Sequence, residues 1–190
     1  MSLATTGMQL LVGSLLFWGA SFLPINQKLY SQESPQGMLE VTQTHAGGWR
    51  LSNSLFILGA LITALGIWFL GGAVEFSGND LWRFLGIYGF LAGVLLSVWF
   101  LGARMLSPES YILLDGSKPW LLHISMGVMT LAILGLGMFL RGTDLADWLG
   151  LTTLILGGLF VVFHIAMKDQ VPMFHYLPTL ILGVYLLVKN

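Results

Sequence analysis

The chemistry open to this chain rests mainly on its four histidines, His45, His123, His164 and His175. Neutral imidazole is the commonest metal ligand and an axial ligand of haem iron. His123 and His164 lie on consecutive apolar stretches, so the pair could ligate a b-type haem. With His175 they could instead hold a metal ion, and Met126, Met167 and Met173 are nearby soft donors. The plainer reading is that these are amphipathic side chains at a membrane interface, bonded to each other, to a loop carbonyl or to headgroups. The plainer reading carries more weight because no tight ligand spacing such as HExxH is present. The nearest acids are Glu40, Glu109 and Asp169.

Other chemistries are excluded by composition or by spacing. The chain has no cysteine, so disulfides, thiolate zinc, iron–sulfur clusters and cysteine nucleophiles are absent. Ser125 follows His123 by two residues, and side chains at i and i+2 of a helix point apart, so the two form no dyad. The net charge is −1 and the Lys and Arg residues are scattered singly, which leaves no basic field for nucleic acid. No catalytic residue is assigned. A second cluster, His45, Trp49, Arg50 and Asn53, stands before an apolar run and is a candidate lipid-headgroup site.

The elements that must position these residues are apolar helices. Hydrophobic residues make up 56% of the chain and charged ones 9%, against about 25% charged in a soluble domain. Six runs approach the roughly 20 residues needed to cross about 30 Å of hydrocarbon: about 7–25, 53–73, 82–103, 119–140, 146–167 and 172–189. They do not alternate polar and apolar residues, so helices rather than barrel strands are expected. The expected fold is all-α, a single domain over 1–190. It is a polytopic membrane protein with six transmembrane helices in one bundle and both termini on one side. The first ten residues lack the basic start of a signal peptide, so the first run is read as a retained helix.

Charges and tryptophans mark the same boundaries. Trp49, Trp82, Trp120 and Trp148 fall near helix starts and Trp18, Trp68 and Trp99 near helix ends, as in an aromatic belt. Arg83, Arg141 and Lys189 lie on the side of the termini, and Lys28, Arg50, Arg104, Lys118 and Lys168 on the other. That balance leans toward the second face being cytoplasmic. No acid or base lies in mid-span, so a carboxylate relay for ion-coupled transport has no residues to run on. Mid-span hydroxyls such as Ser14, Thr63, Thr130, Thr153 and Thr179 are expected to bond the carbonyl one turn back.

Local signals refine the elements. Ser117 and Pro119 suit the start of the fourth run and Pro172 that of the sixth, while Pro178 should kink the sixth. Gly89 and Gly93, the stripe Gly59, Ala60, Thr63, Ala64, and Gly157 with Gly158 should let helices pack closely, mainly within the chain. The long 26–52 connection holds Ser34-Pro35, a cap for a short helix through Thr44. With Met38, Leu39 and Val41 on one side, that helix would lie flat at the interface or fold over the helix ends as a lid.

The stretch His45-Ala-Gly-Gly-Trp-Arg-Leu-Ser-Asn53 before an apolar span resembles a group of six-span bacterial membrane proteins. Their loop reads P…L…H/N-P-x-x-W-R-L-A-N. Pro35, Leu39, His45, Trp49, Arg50, Leu51 and Asn53 match it, and Ala46-Gly47 departs from it. Gly86–Arg104 and Leu177–Leu187 are similar to the third and last spans of that group. The resemblance implies six helices and supplies no activity or catalytic residues. The expectation is a non-enzymatic protein of the bacterial inner membrane, an accessory subunit or a binder of a lipid-like molecule. Its partners would be the bilayer and other membrane subunits or further copies of itself. The alternative is a redox protein holding haem b or a metal ion.

Overall fold

The computed structural model describes residues 2–109, 120–166 and 172–189. Ser117, Lys118, Pro119, Met167, Lys168 and Asp169 lie outside the described residues, as do the side chains of His164 and Met173. The described chain is helical, and its one β feature is an isolated bridge between Phe76 and Thr143. Helices α1 (Leu3–Ser21), α2 (Pro24–Tyr30), α3 (Pro35–Thr44) and α4 (Ala46–Ala73) come first. Then α5 (Asp80–Arg83) runs through a π-helical turn, Phe84–Tyr88, into α6 (Gly89–Leu106). Helices α7 (Trp120–Arg141) and α8 (Asp147–Ala166) follow, and a 3-10 segment, Pro172–Tyr176, leads into α9 (Leu177–Lys189).

Leu3–Ser21, Ala46–Ala73, Asp80–Leu106 and His123–Arg141 are each long and apolar enough to cross a membrane. Successive long helices are spatial neighbours: α1 packs on α4, α4 on α6, α6 on α7 and α7 on α8, and α9 returns against α1. One core runs through the bundle from Leu10 and Phe17 by way of Ile67, Phe90 and Leu136 to Tyr176 and Leu186. Two connections meet at one end, where the Ser77 N–H donates to the Gly142 carbonyl at 2.9 Å. A Cβ on Gly7 would lie 2.9 Å from that of Leu186 at the same end, so the first and last helices start and finish together there. The opposite end, here the loop face, carries α2 and α3.

Glycine sets how near the helices come. A Cβ at Gly59 of α4 would lie 2.7 Å from the Gly13 carbonyl oxygen of α1, and one at Gly183 of α9 would lie 3.0 Å from the Gly7 carbonyl. The same holds between α7 and α8, where a Cβ at Gly137 would stand 3.0 Å from the Gly150 carbonyl. The small-residue stripes expected from sequence therefore pack within the chain. Gly158, by contrast, has nothing within 4 Å.

Three expectations change. The first run stops at Ser21 rather than 25, because Pro24 begins a new helix and the Asn26 amide donates to the Ala20 carbonyl at 2.6 Å. The second span begins at Ala46 rather than 53. Its polar residues look like a loop in sequence, but Trp49, Ser52 and Asn53 share the inner face of the first turns and are buried there. Pro178 is the second residue of α9, where its missing N–H costs little, so the sixth run changes from 3-10 to α geometry just before it. The short helix capped by Ser34 forms as expected, the Ser34 Oγ accepting from the Gly37 N–H at 3.1 Å.

Candidate functional site

At the loop face α2 and α3 fold across the helix ends as a cap. Ile25, Leu29, Trp49 and Phe100 form a small second core, with Met38 and Val41 of α3 packed onto it. That is the lid arrangement, with the apolar side of α3 turned inward. Trp49 is its centre at 1% exposure, so it is no belt residue. Its indole N–H donates to the Arg104 carbonyl at 3.4 Å, and the Arg104 guanidinium lies 4.8 Å above its ring. The Asn53 amide donates to the Trp49 carbonyl at 2.8 Å.

The four residues singled out as a headgroup cluster are thus divided by helical geometry. Trp49 and Asn53 face the core, while Arg50 is exposed on the outer side of α4. His45 ends α3 and starts α4, and it meets a residue outside that cluster. The Lys28 ammonium of α2 lies 3.0 Å from His45 Nε2. An ammonium can only donate, so this imidazole nitrogen accepts. Beside them is an open cleft of about 390 Å³ between α2 and the α3–α4 elbow. Lys28, Thr44 and His45 line its polar side, and Leu23, Ile25 and Leu51 its apolar side. The available signal for Lys28 was Pro24, a first-turn proline that starts α2 and sets Lys28 one turn further on.

The other histidines sit deeper or apart. His123 is in the first turn of α7 and half-buried, and His164 is in the last turn of α8 with its side chain outside the described residues. His175 is 3% exposed; its Nε2 lies 2.9 Å from the Thr130 hydroxyl, and its ring 5.0 Å from that of Phe160. Thr130 is two turns along α7 from His123, about 10 Å. His175 therefore reaches into the bundle well below His123. Any metal or haem on His175 Nε2 would have to replace its contact with Thr130. Among the described residues no three of His, Asp and Glu gather closely enough to hold a metal ion.

Among the described residues no Asp, Glu, Lys or Arg is buried. Thr63 and Thr153 bond carbonyls one turn back, at 2.9 and 2.8 Å, as expected. Others join helices instead: Ser14 to Thr179 at 2.9 Å and Ser97 to Ser125 at 2.6 Å. Ser125 thus ties α7 to α6. Comparison of the chain with protein-family models, with curated proteins and with solved structures finds no match in any of the three.

Proposed function

We propose that this is an integral membrane protein crossing the bilayer six times, with no catalytic role, which serves as an accessory subunit or holds a lipid-like molecule at its capped loop face. One observation carries the reading, large apolar side chains left on the outside of the bundle while small residues line its close helix contacts. Leu95, Trp99 and Leu131 are 63–64% exposed and Ile165 is 80% exposed, while buried positions on α1 and α4 include Gly7, Gly13, Ser14, Gly59, Ala60 and Thr63. Water would penalise such an outer surface by about 25 cal/mol for each Å² of apolar area. Hydrocarbon imposes no such penalty and rewards close, small-residue helix contacts.

Length supports the two shorter elements as crossings. The 20 residues of α8 extend about 30 Å. The 13 residues of α9 extend about 20 Å, and the five-residue 3-10 segment adds about 10 Å at its larger rise. The sum matches a hydrocarbon core of about 30 Å. The resemblance of the loop motif makes the bacterial inner membrane the corresponding bilayer. Native mass spectrometry of detergent-extracted protein tests the role: bound lipid or a partner subunit is expected, and a bare monomer would count against it.

A further inference from the structure

We propose that the cleft between α2 and the α3–α4 elbow binds the phosphate of an anionic phospholipid headgroup, with Lys28 and His45 as its binding side chains. The inference rests on the membrane reading above, which sets this end of the bundle at headgroup level. The cleft, about 390 Å³, is toward the small end of the range for ligand sites, roughly 300–1,000 Å³. Its cation is uncompensated: among the described residues the one ion pair joins Arg141 and Asp147, and Lys28 has none. Lys28 is instead held at His45 Nε2, which fixes the ammonium at the cleft without neutralising it.

The lining selects among phosphates. Among the described residues no carboxylate lines the cleft, so none of them would receive the ammonium of a zwitterionic headgroup, and net negative charge is favoured. Free phosphate shares the same anionic chemistry but has no use for an apolar wall. Leu23, Ile25 and Leu51 form that wall, and Leu51 is 54% exposed one turn down α4, where an acyl chain would descend. Gly47 has nothing within 4 Å, which leaves the backbone open to the ligand. The field of the 28-residue α4, whose first turn opens here, adds to the attraction.

The test reconstitutes the full chain in nanodiscs of phosphatidylcholine alone or with phosphatidylglycerol, then counts lipid retained after extraction. The variants are Lys28→Gln, His45→Gln, Gly47→Leu and, as an exposed cation at the opposite end of the bundle, Lys189→Gln. Preferential retention of phosphatidylglycerol is expected. It should fall about five-fold in Lys28→Gln, as for one interfacial cation, fall also in His45→Gln and Gly47→Leu, and persist in Lys189→Gln. Equal retention in wild type and Lys28→Gln would overturn the proposal, and so would displacement of all lipid by inorganic phosphate. If the protein is membrane-embedded but shows no such preference, the headgroup site alone fails. If the chain remains in solution without detergent or lipid, the membrane reading fails with it.

Discussion

Gly86 and Gly135 cross backbone to backbone: a Cβ on Gly135 would lie 2.7 Å from the Gly86 nitrogen, and a Cβ on Gly86 2.7 Å from the Leu136 nitrogen. Backbone cannot step aside as a flexible side chain can. Gly135→Ala should therefore destabilise the bundle by about 1–3 kcal/mol, the usual cost of overpacking. Gly102→Ala, at a helical glycine with nothing within 4 Å, should be neutral or stabilising by up to about 1 kcal/mol. Unfolding by sodium dodecyl sulfate, followed by far-ultraviolet circular dichroism, measures both.

The contact between Thr130 and His175 predicts a polar cost in the middle of the bundle. Thr130→Val keeps the shape but takes away the hydroxyl 2.9 Å from a buried ring nitrogen. A loss of about 1–3 kcal/mol is expected, read in the same unfolding assay. An unchanged midpoint would show that the nitrogen finds another partner.

Trp49 links the cap to the bundle. Trp49→Ala should cost about 3–5 kcal/mol of packing, felt first at α3, which rests on this ring's cluster. Amide hydrogen exchange should rise across Pro35–Thr44 and change little across α7. Trp49→Phe, which keeps an aromatic ring under Arg104, should retain most of the protection.

The long apolar runs declared the helices because lipid-length hydrophobic stretches have few other solutions, and the observed ends at 106, 141 and 189 fall within a few residues of those expected. Ser34 and Pro35 marked a helix start chemically, through a hydroxyl cap and a proline without an N–H, and α3 begins there. The start of α4 is illegible in the sequence because its polar residues resemble those of a loop. Trp49, Ser52 and Asn53 are polar-capable residues at helical spacing, and the partners of Trp49 and Ser52, Arg104 and Asn26, come from other elements. The pairing of Lys28 with His45 was hidden for the same reason. The two are 17 residues apart, and only the fold of α2 against the elbow joins them. Hydroxyl pairs such as Ser14 with Thr179 likewise depend on which helices become neighbours.

The central claim, six crossings with the loop face opposite the termini, is tested most directly by labelling. The chain has no cysteine, so single substitutions at Gln36 and Glu109 on the loop face, and at Ser77 and Asp144 at the other end, report without background. In sealed vesicles of one orientation, a membrane-impermeant maleimide should modify one pair from outside and the other only after permeabilisation. Modification of Gln36 and Ser77 from the same side of an intact membrane would contradict the account.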